Sequence, residues 1–225
     1  MTSGDGISQR LMVFAKAPVP GRVKTRLALP PTTAARLQAA FVRDVVARHL
    51  QPGRRVTVWR ALDLDHPLWA ELCAEHGVAL AAQGEGDLGA RMAAAFAVEL
   101  AAGGPVVIVG TDSPSLPPRL VDAAFAALAE VPAVIGPASD GGYYLLGLRG
   151  AAPPVFEGIE WGTETVLART LAALAASGTA FRVLDPWYDV DRPDDLVLLR
   201  HHLPSLIAAG DPPPLRTIAA LDDLI

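Results

Sequence analysis

Short apolar runs rich in β-branched residues alternate with alanine- and leucine-rich stretches along the chain, and this alternation constrains the fold more than any other feature. The runs predicted as strands are residues 11–15, 55–60, 78–82, 105–110, 133–136 and 180–184. The stretches predicted as helices are residues 32–50, 67–76, 88–102, 117–129, 163–176 and 193–202. Strands that alternate with helices favour βαβ units, so we predict an α/β fold with a mostly parallel sheet covered by helices on both faces.

Residues 106–109, Val-Val-Ile-Val, are apolar at every position, which is typical of a central strand buried on both faces. Residues 140–154 interrupt the alternation with glycines, paired tyrosines and prolines, and we predict a short strand plus an irregular region that covers the sheet edge. Residues 211–214 are predicted to form a tail turn. Because no repeat or linker is apparent, a single domain over residues 1–225 is the simplest organisation.

Composition excludes several classes of function. The net charge of −5 argues against a general nucleic-acid binder, which would normally carry a basic face. No apolar stretch approaches the roughly 18 residues of a membrane-spanning helix, and the first residues lack the pattern of a signal peptide. The single cysteine, Cys73, excludes an internal disulfide. We therefore expect a cytoplasmic protein that has neither a nucleic acid nor a membrane as its partner.

Both lysines of the chain, Lys16 and Lys24, lie in residues 16–26, directly after the first predicted strand, although arginine is far commoner elsewhere. Gly21 permits close approach of the backbone to a ligand. Arg22, Lys24 and Arg26 alternate, so an extended path would direct them to the same side. Clustered cations stabilise phosphate charge, and we predict that this loop binds phosphates, with Lys24 and Arg26 acting in catalysis. The alternative is a solvated basic surface loop.

Acidic residues follow the central strand and recur before the last predicted helix. Asp112, in Gly-Thr-Asp-Ser-Pro, is expected at the carboxyl end of that strand, where a carboxylate can hold magnesium on nucleotide phosphates. Asp189 and Asp191 share a face on an extended backbone and could complete the metal site. The alternatives are helix capping by Asp112 and by Asp191.

Residues 83–92, Gln-Gly-Glu-Gly-Asp-Leu-Gly-Ala-Arg-Met, follow a predicted strand and precede a long helix. The flexible backbone around Gly84 could wrap a base or sugar, and Asp87 could accept from a base amine or a ribose hydroxyl. The competing interpretation is a turn in which Asp87 caps the helix and Arg91 lies on the surface.

Residues 140–144, Asp-Gly-Gly-Tyr-Tyr, are predicted to form a sharp turn that places both tyrosines beside the site, although core packing would explain one of them equally well. The candidate acceptor- or sugar-binding residues are Asp140, Gly141, Gly142, Tyr143, Trp161 and Glu164. Asp63 and Asp65 match a bare Asp-x-Asp pattern, but they follow an early strand and are predicted to lie in a solvated loop.

Four segments together resemble one known group of enzymes. They are the first strand with its basic loop, Gly-Thr-Asp-Ser-Pro, Asp-Gly-Gly-Tyr-Tyr, and Asp-Val-Asp-Arg-Pro-Asp-Asp at residues 189–195. In this order they resemble the GT-A-type glycosyltransferase family that includes proteins associated with arsenosugar biosynthesis. They are more distantly similar to molybdenum-cofactor guanylyltransferases and phospholactate guanylyltransferases. The similarity extends over residues 11–196.

The resemblance implies a three-layer nucleotide-diphospho-sugar transferase fold (GT-A, Rossmann-like) that binds a nucleotide and magnesium or manganese at the strand ends. By position it implies phosphate contacts from Lys16, Arg22, Lys24 and Arg26, and metal ligation by Asp112 and Asp191. One departure matters, because Thr111-Asp-Ser113 supplies a single carboxylate where many such glycosyltransferases have Asp-x-Asp. That feature and the lysine-bearing loop look more like nucleotidyltransferases.

Three functions are therefore expected as competitors. The first is glycosyl transfer from a nucleotide-sugar to a small-molecule acceptor. The second is nucleotidyl transfer from a nucleoside triphosphate to a phosphorylated small molecule, with release of pyrophosphate. The third is a non-catalytic nucleotide-binding module.

Overall fold

The computed structural model describes residues 9–224. Its strands are β1 (Gln9–Lys16), β2 (Arg54–Ala61), β3 (Ala79–Ala82), β4 (Val106–Val109), β5 (Ala133–Pro137), β6 (Tyr143–Leu148) and β7 (Phe181–Val183). Its α-helices are α1 (Pro31–Arg48), α2 (Pro67–His76), α3 (Leu88–Ala101), α4 (Pro118–Ala127), α5 (Val166–Ala176), α6 (Pro193–Ala208) and α7 (Leu215–Asp222). A short 3₁₀ helix at Thr25–Leu27 lies in the loop after β1.

Within the described residues the seven strands form one sheet in the order β3-β2-β1-β4-β6-β5-β7. The pairs β1–β2, β2–β3, β1–β4 and β5–β7 are parallel, whereas β6 is antiparallel to β4 and to β5. The mostly parallel α/β sheet predicted from the alternation is therefore confirmed. Strands β2 and β3 follow one another on one side of β1, whereas the next strand, β4, lies on the other side of β1. The strand order therefore switches direction between β1 and β4.

Strand β4 is the buried centre that its sequence predicts. Its four side chains are at most 4% exposed. Removing each such side chain from water contributes about 1.5–3 kcal/mol, which explains why the run carries no polar position. The strand pairs with β1 from Arg10↔Val106 to Val13↔Val109, and this register fixes the height at which the loops after the two strands leave the sheet.

Helices cover both faces of the sheet. On one face α1, α2 and α4 pack on β1, β2 and β4, through side chains such as Val46, Trp69 and Phe125. On the other face α3 and α5 pack through Phe96 and Leu174. A third cluster joins α1 to the carboxyl-terminal helices α6 and α7. No helix within residues 9–224 is long and apolar enough to span a membrane.

The short strand predicted within residues 140–154 is confirmed as β6, and it is an interior strand of the sheet. It lies between β4 and β5, and Gly147 stands opposite both Val107 and Val134. A Cβ at Gly147 would come within 3.0 Å of a Leu128 methyl group, so the glycine makes room for the residue that follows α4. The run Leu-Leu-Gly-Leu has none of the β-branched residues that signal a strand, which explains why its central position was missed.

The carboxyl-terminal region is more helical than predicted. Helix α6 continues beyond residue 202 and through Pro204 to Ala208, and α7 follows the predicted tail turn. Leu199, Leu203 and Leu221 are buried in the cluster with α1. This burial compensates for the backbone hydrogen bond that a proline removes inside a helix.

Candidate active site

The loops after β1 and β4 leave the sheet side by side, where the strand order reverses. Lys16 ends β1 and Asp112 follows the end of β4, and the parallel register Val13↔Val109 brings the two loops to the same height. In open α/β sheets the crevice outside such carboxyl ends is where ligands bind. The predicted phosphate loop and the predicted first metal ligand are thus neighbours across the switch in strand order.

The loop after β1 turns sharply instead of continuing in an extended path. Gly21 adopts a φ of 75°, and the 3₁₀ helix that follows is bracketed by two left-handed residues, Lys24 with φ 48° and Ala28 with φ 55°. Val23 and Leu27 anchor the loop in the core. The remaining predicted phosphate-binding cations are exposed: Lys16, Arg22 and Arg26.

Lys24 points inward, in contrast to those three cations. Only 2% of its side chain is exposed, and its ammonium donates to the carboxylate of Asp112, to the backbone oxygen of Val190 at 2.8 Å and to Asp191 at 3.1 Å. The ammonium also lies 5.2 Å from the centre of the Phe41 ring. Burial disfavours the charged form, yet the two carboxylates outweigh it and raise the pKa of Lys24 above its usual value.

Asp112 and Asp191 therefore meet as predicted at the carboxyl end of β4, and Lys24 joins them. The backbone oxygen of Asp112 accepts from the Val190 N–H at 2.7 Å, which ties the β4 loop to the segment before α6. Burial tends to raise the pKa of Asp112, but Lys24, with a smaller contribution from Lys16, lowers it below its ordinary value. Asp112 is thus held ionised.

Asp189 has a different environment. Its carboxylate accepts a short hydrogen bond from the Ser113 hydroxyl, and burial, reinforced by the charges of Asp112, Asp140 and Asp191, raises its pKa to about 7. Asp189 and Asp191 thus lie at one site with Asp112, but Asp191 contacts Lys24 and Asp189 contacts Ser113.

Helix α6 is capped by Asp195, not by Asp191. The Asp195 carboxylate accepts from the backbone N–H groups of Asp191 at 2.9 Å and Arg192 at 2.7 Å. Asp112 likewise caps no helix, since α4 begins at Pro118 with Pro117 as its N-cap residue. The capping alternatives for Asp112 and Asp191 are wrong, and both carboxylates are available to the site.

The loop between β3 and α3 is a turn in which Asp87 caps the helix, as the competing interpretation predicted, and contact with a base or ribose stays a prediction. Gly84 has a φ of 76°, and Asp87 caps α3 by accepting from the Ala90 N–H at 2.8 Å. Arg91 is not a free surface residue, because it donates to Gln83 at 2.8 Å. The buried Gln83 amide in turn donates to the backbone oxygen of Trp59 at 2.8 Å. Sequence reasoning missed Gln83; a glutamine at the end of a predicted strand was its only signal.

The paired tyrosines point to opposite faces of β6. Tyr143 packs edge-on against Trp161, with ring centres 6.4 Å apart, and its hydroxyl lies 3.8 Å from the Met92 sulfur. Tyr144 is buried in the opposite core, and its hydroxyl donates to the backbone oxygen of Asp185 at 2.9 Å. Core packing therefore explains Tyr144, and Tyr143 is the one beside Trp161.

The turn before β6 is fastened to the start of α5. Asp140 accepts from the Gly142 N–H at 2.8 Å, and the backbone oxygen of Gly141 accepts from the Leu167 N–H at 2.9 Å. A Cβ at Gly141 would lie 2.3 Å from the backbone oxygen of Glu164, so only glycine permits this approach. Asp140 and Glu164 are both exposed.

An aromatic network behind the acidic residues was not predicted. Trp187 stacks on Tyr188 at 5.5 Å between ring centres, and His202 packs against both rings at 5.6 Å. The Ser115 hydroxyl donates to the Tyr188 hydroxyl at 3.1 Å and accepts from the Trp187 indole at 3.3 Å. This network holds the segment that carries Asp189 and Asp191 against the loop after β4.

The donor set fits a magnesium ion that shares its coordination with a substrate. Asp112 and Asp191 converge on one cation position, and their side chains are 48% and 41% exposed. Magnesium is commonly bound by one or two carboxylates together with phosphate oxygens and water. Within residues 9–224 no group of three or more His, Cys, Asp or Glu side chains is arranged to hold a metal.

Comparison with known proteins is consistent with this architecture. Residues 45–163 match the family described as "Uncharacterized protein conserved in bacteria (DUF2064)". A protein from Desulfovibrio desulfuricans G20, provisionally described as a nucleotide-diphospho-sugar transferase, is 35% identical, with a TM-score of 0.80 over 87% of each chain. The predicted nucleotide-diphospho-sugar transferase fold is thereby confirmed. A search of curated proteins found no match.

Two more distant structures share the fold alone. One is a CMP:2-keto-3-deoxy-manno-octonic acid synthetase complexed with CTP, 14% identical, with a TM-score of 0.54 over 90% of this chain and 99% of the other. The second is a 4-diphosphocytidyl-2C-methyl-D-erythritol synthase from Anaerococcus prevotii DSM 20548, 9% identical, with a TM-score of 0.58 over 88% and 99%.

Proposed function

The chain belongs to the DUF2064 family, and from this premise we propose that it is a magnesium-dependent transferase that moves a glycosyl group from a nucleotide-sugar to a small-molecule acceptor. One observation carries the proposal. Exposed cations on the loop after β1 and the carboxylates Asp112 and Asp191 lie on the two sides of the switch in strand order. A metal-bound diphosphate needs both kinds of group.

The residues divide the work by charge and position. Lys16, Arg22 and Arg26 are exposed beside the crevice and would bind the diphosphate, whose negative charge grows as the bond to the sugar breaks. Asp112 and Asp191 would hold magnesium, which when bound neutralises that leaving group. Fixed charges of this kind need no rearrangement at the moment of reaction.

The nucleoside and the acceptor are proposed to bind near the start of α3, because Asp87 caps this helix and both Trp161 and Tyr143 pack against it. The loop with Gly84 and Asp87 would contact the base or ribose, because it follows the end of β3 on the β2 side of β1. Tyr143 and Trp161 would flank the sugar or acceptor, with Asp140 and Glu164 as exposed carboxylates for its hydroxyl groups.

A second candidate is nucleotidyl transfer from a nucleoside triphosphate, with release of pyrophosphate. It is favoured by the single carboxylate after β4 and by a lysine on the loop after β1. The cytidylyl-transferring proteins named above share the fold, although their low identity supports no more than the fold. The links to arsenosugars, molybdenum cofactor and phospholactate that the resemblance implies stay predictions.

One turnover screen separates these functions and the non-catalytic alternative. The full chain is incubated with magnesium and a panel of nucleotide-sugars or nucleoside triphosphates, and the phosphorus products are identified. Glycosyl transfer or hydrolysis releases a nucleoside diphosphate, whereas nucleotidyl transfer to phosphorylated acceptors releases pyrophosphate. No turnover with any donor would contradict both enzymatic proposals and leave the nucleotide-binding module.

The Asp112→Ala variant tests whether the observed turnover belongs to this site. We expect a loss of about 100-fold or more, because the leaving group loses its principal counter-charge. Asp65→Ala is the matched control, since Asp65 lies exposed in the Asp-x-Asp loop after β2 and is not one of the carboxylates that contact Lys24. Equal activity of Asp112→Ala and the wild type would contradict the assignment of the site.

A further inference from the structure

We propose that Lys24 is an internal counter-ion that occupies the cation position between Asp112 and Asp191 until a metal–diphosphate complex displaces it. Metal binding would then depend on prior or simultaneous binding of the phosphate ligand. This inference rests on the proposed function for the identity of that ligand.

The contacts of the ammonium support this role. Its donors are directed at Asp112, at the Val190 backbone oxygen and at Asp191, and the side chain is almost wholly enclosed. The ammonium therefore neutralises the same carboxylates that fit a magnesium ion. Lys16, the other lysine, ends β1 as an exposed side chain and does not share these bonds.

The ammonium and a metal ion exclude each other at this position. Magnesium binds a carboxylate oxygen at about 2.0–2.1 Å, and an ammonium hydrogen-bonded to the same oxygen would face the metal across only a few ångströms. Two cations so close repel strongly in a partly buried site. An entering metal must therefore displace Lys24, and the free protein resists metal binding.

The backbone around Lys24 allows such a displacement. Lys24 and Ala28 both have left-handed backbone angles, which cost about 1–2 kcal/mol for a residue with a side chain. The contacts of the ammonium help to hold Lys24 in this conformation. A diphosphate beside Lys16, Arg22 and Arg26 would give the released ammonium a new anionic partner.

The first test measures the affinity of the unliganded full chain for Mn²⁺, from the electron paramagnetic resonance signal of the free ion. Lys24→Met is expected to bind Mn²⁺ about 10-fold more tightly than the wild type, within the usual range of coupling between two ligands. Lys16→Met is the control for the general loss of one positive charge and should change the affinity by less than about 3-fold. Equal affinities of wild type and Lys24→Met, or equal gains in both variants, would overturn the proposal.

The second test uses the wild-type protein and remains available if Lys24→Met does not fold. With only two lysines in the chain, a ¹⁵N-lysine sample gives at most two ammonium signals, and the enclosed Lys24 should exchange slowly with water. We expect this signal to persist in magnesium alone and to shift or vanish with magnesium and inorganic pyrophosphate. Loss with magnesium alone, or no change at saturating magnesium pyrophosphate, would overturn the proposal.

Failure of the proposed function gives a different result. If pyrophosphate does not bind, the phosphate site is contradicted, but the Mn²⁺ titration still decides whether Lys24 competes with a metal. If turnover is present and the Lys24 variants bind Mn²⁺ like the wild type, the proposed function stands and the counter-ion proposal fails.

Discussion

Two neighbouring aspartates at the site differ in charge because of their partners. Asp112 has a lowered pKa because Lys24 and Lys16 outweigh its burial. Asp189 accepts from the Ser113 hydroxyl, and burial together with the neighbouring carboxylates raises its pKa to about 7. The site therefore keeps one carboxylate ionised and holds another near the point of protonation at neutral pH.

Replacing Asp189 with asparagine should stabilise the protein most at alkaline pH. The folded-state pKa of Asp189 lies above the unfolded value of 3.8, so between pH 3.8 and about 7 the folded protein binds one proton more than the unfolded chain. The free energy of unfolding therefore decreases as the pH rises through this range. Asp189→Asn removes that loss, and we expect a gain of about 1–3 kcal/mol at pH 8 and a smaller gain at pH 5. Urea unfolding at both pH values measures it; the exposed Asp185→Asn is the control, and an equal gain in both variants would contradict the account.

His49 should have the opposite effect on stability. Its ring is completely buried, neither ring nitrogen has a hydrogen-bond partner among residues 9–224, and burial beside Arg48 and Arg54 lowers its pKa to about 3. Between pH 6.5 and about 3 the unfolded chain binds the proton and the folded protein does not. The free energy of unfolding therefore decreases as the pH is lowered, by up to about 1.4 kcal/mol per pH unit.

The His49→Leu variant should flatten this dependence. Unfolding free energies at about pH 6 and about pH 4.5 are compared for the variant, the wild type and the exposed control His201→Leu. A His49→Leu slope as steep as that of the wild type would show that His49 does not titrate on unfolding.

At the scale of elements, the turn between β5 and β6 depends on Gly141. Gly141→Ala places a Cβ against the backbone of Glu164, whereas Gly150→Ala, with a similar left-handed φ of 80°, meets no atom of the described residues within 4 Å. We expect Gly150→Ala to cost about 1 kcal/mol from its φ alone, and Gly141→Ala a further 1–3 kcal/mol from the collision. Guanidinium unfolding tests the pair; equal costs would mean that the turn does not press on α5.

The start of α6 depends on one of two adjacent aspartates. Asp195 accepts from two backbone N–H groups, whereas Asp194 lies exposed in the same first turn and accepts none within the described residues. Asp195→Ala should cost about 1 kcal/mol of unfolding free energy, and Asp194→Ala only a few tenths. Reversed costs would contradict the observed cap. Because Asp195 holds the Asp191 backbone, its loss should also weaken nucleotide binding.

Elements with a strong local pattern were predictable, and those defined by tertiary packing were not. Helix α2 begins and ends as predicted, and β4 was identified by four consecutive apolar residues. Strand β6 has leucines and a glycine in place of β-branched residues, and its central place depends on pairing with β4 and β5. Helix α7 is stabilised by packing on α1. This contact joins residues far apart in the sequence, so the local sequence pattern does not predict the helix.

At the scale of the whole molecule, the site was predictable to the extent that strand ends determine it. The rule that ligands bind at the carboxyl ends of parallel strands predicts that Asp112 and the basic loop belong to one site. The inward path of Lys24 was not predictable, since it depends on left-handed angles at Lys24 and Ala28. The prediction assumed an extended loop, in which Arg22, Lys24 and Arg26 would point to the same side. The 3₁₀ helix at Thr25–Leu27 replaces that extended path, and Lys24 points inward.

The central claim is that nucleotide phosphates bind between the loop after β1 and the loop after β4. Thermal unfolding of the full chain with a panel of nucleoside diphosphates, with and without magnesium, tests it most directly, because stabilisation grows with ligand concentration over dissociation constant. We predict that at least one nucleotide with magnesium stabilises the wild type and Asp65→Asn equally and Asp112→Asn much less. No stabilisation by any nucleotide, or equal stabilisation of Asp112→Asn, would contradict the claim.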